Sequence, residues 1–422
     1  MNGKCFAKAL SLVCVLPFTA SALEIEFRYN IDSSGFFNQP GAREALEAAG
    51  EFYANLITDE LEAIDPDNFQ GGGQINWAPT YGEPNAQGLQ FPTDVPGATN
   101  LVVPTNTIII FAGARSIPSN GQGGPGGFRF MAGSTVDGIN QVLNRGEAGA
   151  PTFDGGVIST FPTDYGHWGG SVIFNSDDTW NFSTTDPNAS DGIDFLTVAL
   201  HEIGHVLGIG WRLGNQTTWD SLVEGANFTG PLARASNGNV SPNLDAGGIH
   251  WATNTPSNHT VAAFGESHGN EQDGLMEALA GGSSSSSSFT VPTDLELAAL
   301  RDIGWELTPT LPNFAVAPNL SSGTPTIQIP TTTGVNYQVS SSTLPNQLTP
   351  SGATIIGDGS IQTWLDPAGL AERGFYRVEA SLPNALNLQS TNSLKKSALP
   401  SPALSTEQLP NFPPSQCQCD FH

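Results

Sequence analysis

Alternating and helical spacings of hydrophobic residues predict a series of strands and helices along the first part of the chain. Residues 24–29 place apolar side chains at every second position, which predicts a strand. Between residues 42 and 64 apolar residues recur at the spacing of one helix face, so we expect a helix that packs on a sheet. The apolar run at 107–113 predicts a buried strand that ends at a glycine. Residues 171–175 and 179–182 predict two short strands across a polar turn.

Two helices are predicted further along the chain. Residues 194–208 have a helical period, with Asp194 as the candidate N-cap and Gly208 as the terminator. The capping box Thr293-Asp294-Leu295-Glu296 predicts a helix that reaches Asp302. Regions without a clear period are expected to be loops, namely residues 121–127 and 209–288.

The composition changes after Trp305, and this change predicts the domain organisation. Proline, threonine and serine dominate residues 308–324, which we interpret as a linker after a first domain at 23–307. Five short strand candidates follow at a spacing typical of β-sandwiches, so residues 325–382 are predicted to form a small all-β domain. The proline-rich residues 383–422 are predicted to be a disordered tail.

Charge and the N-terminal segment restrict the classes of function. The chain has 40 acidic residues against 14 Lys and Arg, a net charge of -26, which excludes nucleic acid as a partner because a polyanion would be repelled. Residues 1–22 contain Lys4 and Lys8, an apolar run and the small residues Ala20-Ser21-Ala22, as in a signal peptide cleaved after Ala22. No later run is apolar enough for an integral membrane segment. We therefore expect a secreted protein, extracellular or periplasmic.

The candidate chemistry lies in His201-Glu202-Ile203-Gly204-His205, which has the spacing H-E-x-x-H within the predicted helix. Histidines four residues apart share a helix face, so both imidazoles can bind one metal ion. Zinc suits two neutral nitrogens and a third protein ligand, with the fourth position left to water. Glu202 can take a proton from that water and pass it to a leaving amine. The pattern therefore predicts a zinc site that hydrolyses peptide bonds.

With Gly208 three residues after His205, the motif resembles that of the metzincin metallopeptidases, H-E-x-x-H-x-x-G-x-x-H or -D followed by a methionine-containing turn. The resemblance spans about residues 24–306 and points to secreted bacterial matrixin-like and leishmanolysin-like peptidases. It implies an α/β (α+β) catalytic domain with a twisted mixed sheet, an active-site helix, catalytic zinc and protein or peptide substrates. The sequence departs from the family at Trp211, which occupies the third-ligand position and has no lone pair for a metal.

A displaced ligand must then complete the zinc site. In the leishmanolysin branch the third histidine follows a long insertion, so the resemblance allows a ligand further along this chain. His250 is the first candidate, because a Gly-Gly turn and Trp251 can hold its ring in place. His268, eight residues before Met276, is the alternative. Three weaker candidates are His259, Asp220 and Glu224.

Two further features carry expectations. Met276, in Gly274-Leu275-Met276-Glu277-Ala278, has the position of the metzincin Met-turn, whose side chain lies beneath the metal; a core position is the alternative. Several aspartates precede the active helix and could bind calcium or simply form solvated turns, namely Asp177, Asp178, Asp186, Asp191 and Asp194.

The sequence thus predicts a secreted zinc-dependent endopeptidase, expected to be a monomer, in which Glu202 activates the water. A binding or matrix protein with a structural or decayed zinc site is the rival hypothesis, because the third-ligand position holds Trp211. Glu202 argues against that rival, since a structural site has no need of a base beside its water.

Overall fold

The computed structural model describes most of the chain between residues 23 and 308 and several segments beyond. The described residues are 23–69, 73–83, 93–213, 216–259, 263–264, 266, 271–278, 288–308, 318–319, 326–331, 336–342, 349–357, 361–365, 375–381 and 411–412. The predicted signal peptide, His268 and most of the predicted linker and tail lie outside them. Among the described residues no helix is long and apolar enough to cross a membrane.

The part of the chain up to residue 308 mixes short strands with six α-helices in its described residues. The strands are β1 (Glu24–Arg28), β2 (Trp77–Tyr81), β3 (Thr93–Asp94), β4 (Thr107–Arg115), β5 (Gly121–Pro125), β6 (Gly127–Phe130), β7 (Phe153–Asp154), β8 (Val157–Ile158), β9 (Gly169–Asn175), β10 (Trp180–Asn181), β11 (Ile193–Asp194), β12 (Val223–Glu224), β13 (Asn227–Phe228), β14 (Pro256–Asn258) and β15 (Glu271–Asp273). The helices are α1 (Ala42–Ala54), α2 (Val136–Asn144), α3 (Phe195–Val206), α4 (Thr218–Ser221), α5 (Pro231–Ser236) and α6 (Asp294–Asp302), and a 3-10 turn covers Phe36–Asn38.

A four-stranded mixed sheet organises this part of the chain, in the order β1-β4-β9-β5. The first three strands are parallel, and β5 pairs antiparallel with β9 at one edge. In β4, Ile108, Ile110 and Ala112 face the core formed with α1, α3 and α6. Ile109 and Phe111 face a second core, formed with α2 and the small sheet of β2 and β6. The continuous apolar run of β4 arises because helices or strands cover both of its faces.

Three sequence expectations need correction. Residues 209–288, predicted to be loop, also contain the short helices α4 and α5 and the short strands β12 to β15. Residues 121–127, predicted to be a loop, form the edge strand β5 and the start of β6. Glycines leave no side-chain alternation to detect, and the strand is held by main-chain pairing with β9. The helix predicted over 42–64 ends at Ala54, and the following apolar residues are extended, with Ile57 bridged to Leu307 and Ile64 to Val103.

The described segments beyond residue 308 are all strands or extended chain. The strands are β16 (Pro318–Asn319), β17 (Thr326–Pro330), β18 (Asn336–Ser342), β19 (Thr349–Pro350), β20 (Ile355–Ile356), β21 (Ile361–Leu365), β22 (Phe375–Ser381) and β23 (Asn411–Phe412). Five of them coincide with the five predicted strands, and they surround a small separate core, namely Ile327, Ile329, Tyr337, Val339 and Trp364. β23, from the predicted tail, pairs with β6.

Candidate metal centre

Helix α3 carries the H-E-x-x-H segment and has a defined signal at each end. At its start the Asp194 carboxylate accepts hydrogen bonds from the backbone N–H and the hydroxyl of Thr197. At its end the N–H groups of Ile209 and Gly208 donate to the carbonyls of Gly204 and His205, which is a Schellman motif. Gly208 has φ 101°, a left-handed conformation that favours glycine. These local signals end the helix directly after its second histidine.

Three buried histidines converge at the C-terminal half of this helix. The Nε2 atom of His205 lies 3.1 Å from that of His201 and 3.2 Å from that of His250. Ligand nitrogens of tetrahedral zinc, at about 2.0–2.1 Å from the ion, are about 3.3 Å apart, so this spacing fits one zinc ion. These three residues could therefore hold a metal ion.

Main-chain and carboxylate acceptors orient each ring. His201 Nδ1 lies 2.7 Å from the Leu275 carbonyl, His205 Nδ1 lies 2.8 Å from the Ile209 carbonyl, and His250 Nδ1 lies 3.1 Å from an Asp245 carboxylate oxygen. These acceptors assign the proton to Nδ1, which leaves the Nε2 lone pair for a metal. Burial lowers the pKa of His201 to about 3 and lowers that of His205 well below its usual value, so both rings are neutral at neutral pH.

A tight loop carries His250 to the helix. The carboxylate of Asp245 accepts the backbone N–H of Ile249, and its carbonyl accepts that of Gly248, which has φ 69°. Partial burial raises the pKa of Asp245, but the hydrogen bonds from His250 and Ile249 outweigh burial and lower it to about 2. The charged carboxylate therefore closes the loop and also accepts a hydrogen bond from His250 Nδ1.

The segment around Met276 lies against the same helix. Met276 is fully buried, and its backbone oxygen accepts the N–H of Trp251, the residue after His250. A Cβ added to Gly204 would come within 2.8 Å of the Met276 sulfur. Position 204 of α3 therefore holds glycine, a poor helix former, because a larger side chain would clash with Met276. The Leu275 carbonyl contacts His201 and the Met276 carbonyl binds Trp251, the neighbour of His250, so the turn is connected to two of the three histidine positions.

Glu202 is fully buried beside the histidine group. Neither of its carboxylate oxygens has a hydrogen-bond partner among the described residues, and burial raises its pKa well above the usual value. The edge strand β5 covers it: a Cβ on Gly121 would lie 2.5 Å from Glu202 Oε1, and one on Gly123 would lie 2.3 Å from the Glu202 carbonyl oxygen. The glycines of β5 thus allow the strand to approach the carboxylate.

The remaining described ligand candidates do not belong to the histidine group. His259 is 2% exposed, and its Nε2 lies 2.6 Å from the side-chain oxygen of Gln272. The Asp220 carboxylate accepts hydrogen bonds from Arg212 Nε, at 2.8 Å, and from the Leu213 N–H. Glu224 is exposed in β12, and His268 lies outside the described residues.

Trp211, at the position where the family has its third ligand, packs its ring against two aromatic neighbours. It makes edge-to-face contacts with Tyr165 and His167, and these residues line a small cavity of about 30 Å³. None of the five aspartates considered for calcium belongs to a close group of metal-ligating residues in the described part of the chain, namely Asp177, Asp178, Asp186, Asp191 and Asp194.

Sequence reasoning did not identify three parts of the site, namely Asp245, the Leu275 carbonyl and the glycines of β5. Asp245 had a local signal, because an Asp four residues before the Ile249 N–H often closes such a loop by hydrogen bonding. The Leu275 carbonyl had none, since any residue type provides a backbone oxygen.

Comparison with known proteins finds partial matches around helix α3. The family model of the matrixins matches residues 141–216, which include all of α3 and cover less than a fifth of the chain. Matrix metalloproteinase-25 of Mus musculus is 49% identical over 41 residues, which are 10% of this chain and 6% of that protein. Matrix metalloproteinase-2 of Drosophila melanogaster is 51% identical over 41 residues, 10% of this chain and 5% of that protein.

The chain therefore matches only a small part of the length of these curated relatives. No solved structure matches it significantly. The family match and the partial relatives support a metzincin-type metallopeptidase, and the mixed α/β architecture is compatible with a matrixin-like domain.

Proposed function

We propose that this protein is a secreted zinc-dependent endopeptidase, with His201, His205 and His250 as zinc ligands and Glu202 as the general base. The observation that carries the proposal is the convergence of three buried Nε2 atoms beside a buried carboxylate that has no partner among the described residues. The substrates are proteins or peptides. His250 lies 45 residues after His205 and takes the place of the ligand that Trp211 cannot provide.

Bound zinc would act as a Lewis acid toward the attacking water and the peptide carbonyl. Glu202 accepts a proton from that water as oxygen attacks the carbonyl carbon, and it donates the proton to the amine nitrogen as the C–N bond breaks. Burial raises the pKa of Glu202, which makes this carboxylate a stronger base toward the water than an exposed one.

The rival reading, a secreted binding or matrix protein with a structural or decayed zinc site, is less well supported. Structural zinc is normally enclosed by four protein ligands, whereas three converge here in the described residues. A buried carboxylate without a partner destabilises the fold, which is a common feature of residues retained for chemistry.

The remaining parts of the proposal concern the whole chain. Residues 1–22 act as the signal peptide, 23–307 form the peptidase domain, 308–324 form a linker and 325–382 form an accessory β-sandwich. Residues 383–422 form a C-terminal tail, of which residues 411–412 pair with β6. Met276 forms the Met-turn, and the protein acts as a monomer outside the cytoplasm. The separate core of the strands after residue 325 supports an independent accessory domain.

The test is Glu202→Gln, which keeps the shape of the side chain and removes its ability to take a proton. We expect casein hydrolysis to fall by about 10²–10⁴-fold, with zinc still bound at one ion per chain. Glu224→Gln is the matched control, since this glutamate is exposed in β12, and it should keep both zinc and activity. Parent-like hydrolysis by Glu202→Gln would show that the peptidase proposal is wrong.

A further inference from the structure

A second group of potential metal ligands lies on three loops outside the histidine group. Asp59 follows α1, Glu147 follows α2, and Asp164 precedes β9. One carboxylate oxygen of each lies within 4.8 Å of those of the other two. Among the described residues, only this group and the three histidines bring three metal-ligating side chains so close together.

Asp59 is the buried member of the group and is incompletely bonded. Its side chain is 2% exposed, and its Oδ2 accepts the backbone N–H of Glu306 at 2.8 Å. Its Oδ1 is buried and has no hydrogen-bond partner in the described part of the chain. A buried carboxylate oxygen without a partner is unfavourable, so a ligand is expected at this position.

No ion pair among the described residues neutralises the three carboxylates. Arg145, two residues before Glu147, is fully buried, but its guanidinium donates to main-chain oxygens. Those acceptors are the carbonyls of Glu62, Thr107 and Pro104, each at 2.7–2.8 Å. None of the ion pairs found among the described residues includes Asp59, Glu147 or Asp164. In the described part of the chain, therefore, only the charge of Arg145, which lowers the pKa of Glu147, offsets the negative charge of the group.

The pKa values of these carboxyls agree with that conclusion. Burial, with the charges of its neighbours, raises the pKa of Asp59 to about 8 and that of Glu147 to about 7, and burial raises that of Asp164. The charged groups that face one another here are Asp59, Glu147, Asp164, Glu306, Glu62 and Arg145. Without a cation the group must therefore keep protons or accept repulsion at neutral pH.

We propose that Asp59, Glu147 and Asp164 bind a calcium ion that joins their three loops. Calcium takes 6–8 oxygen ligands at about 2.3–2.6 Å, so oxygens in its shell lie up to about 5 Å apart, and water can complete an irregular set. Magnesium requires a near-ideal octahedron at about 2.0–2.1 Å, which three loops provide less readily. Asp164 precedes Tyr165, whose hydroxyl donates to the Val206 carbonyl at the end of α3, so the ion also stabilises the end of the active helix.

The experiment measures calcium binding and thermal unfolding of the full chain in the Glu202→Gln background, which prevents self-digestion. The protein keeps its zinc and is freed of other ions, and calcium chloride is added to about 10 mM, about 100-fold above a Kd typical of extracellular calcium sites. Titration calorimetry should show one calcium per chain. The Tm should rise by about 5 °C at pH 8.

The effect should depend on pH in a defined direction. Because folding raises the pKa of these carboxyls, their contribution to the stability of the calcium-free protein is fully present below about pH 4 and is lost as the pH rises through about 7–8. Calcium removes that loss, so its effect on the Tm should be small at pH 5 and large at pH 8.

Two variants and one control decide the assignment. Asp59→Asn and Asp164→Asn should lose the calcium-induced Tm rise, and without calcium at pH 8 Asp59→Asn should melt no lower than the parent, because a repelled charge is removed. Asp191→Asn, which removes an exposed charge outside the group, should respond to calcium like the parent. Equal calcium responses in the parent and in Asp59→Asn, or no response of the parent at pH 8, would overturn the proposal.

Discussion

Hydrogen bonds at the ring nitrogens distinguish the three histidines that could hold a metal ion from His259. His201 and His205 donate to carbonyls that the fold supplies, and His250 donates to Asp245. The Nε2 atom of His259 instead forms a hydrogen bond with the side-chain oxygen of Gln272. The side-chain amide of Gln272 in turn donates to the Val291 carbonyl. His250 and His259, which lie nine residues apart, thus have different hydrogen-bond partners, a difference that residue type alone does not reveal.

Alanine substitution should separate these roles. His250→Ala should strip zinc and activity together, since two histidines leave zinc with too few protein ligands for a tight site. His259→Ala should keep zinc and lower the free energy of unfolding by about 1–3 kcal/mol, because it removes a buried hydrogen bond. Zinc stoichiometry and urea unfolding are the measurements.

His268→Ala completes the series and should keep zinc. Full zinc in His250→Ala would contradict the assignment of the third ligand. Zinc loss confined to His268→Ala would move that ligand to the alternative beside Met276.

At the scale of elements, α3 lies between the Met276 turn and the edge strand β5. Gly204 allows the methionine to approach on one side, and Gly121 and Gly123 allow β5 to approach Glu202 on another. Each contact requires that a side chain be absent, so glycine is needed at places where helix or strand propensity would disfavour it. The position of Glu202 depends on these close approaches.

Adding one methyl group to β5 should therefore have different effects at two positions. Gly121→Ala would place a Cβ against the Glu202 carboxylate, which can move, so kcat should fall by 10-fold or more while the Tm changes little. Gly123→Ala would meet the Glu202 backbone, which cannot move freely, and should lower the free energy of unfolding by about 1–3 kcal/mol.

Steady-state kinetics and thermal unfolding of both variants are the measurements, and each variant is the control for the other. If Gly121→Ala keeps the parent kcat, then the approach of β5 does not position Glu202.

At the scale of the whole molecule, hydrophobic burial divides the chain. The two larger cores contain only residues up to Leu307, and the third contains only residues after 325. Thr308 still donates to the Leu56 carbonyl, so the first unit reaches one residue beyond the predicted boundary at 307. The pairing of β23 with β6 is the one strand contact between the two parts in the described residues.

Residues 23–308 alone should consequently fold, bind zinc and cleave a small peptide with parent-like kcat/KM. The reason is that the removed strands have their own core and contain no candidate metal ligand. Circular dichroism melts, zinc analysis and peptide hydrolysis, compared with the full chain, check this expectation. A folded but inactive fragment would show that the C-terminal strands contribute to the site.

The sequence alone determined the features that depend on neighbours in the chain. Asp194, the H-E-x-x-H segment and Gly208 specify where α3 starts, which face carries the histidines and where it ends, because caps and helical spacing are local interactions. The predicted strand at 107–113 agrees with β4 for the same reason, since its apolar run is contiguous.

Only the tertiary structure decided which distant groups meet. It brought His250 rather than His259 to α3, turned the glycine-rich residues 121–125 into the edge strand over Glu202, and gathered Asp59, Glu147 and Asp164 from three loops. These contacts join residues tens of positions apart, and glycines and single loop carboxylates have no periodic pattern. Their arrangement therefore follows from the packing of the sheet and helices around two cores.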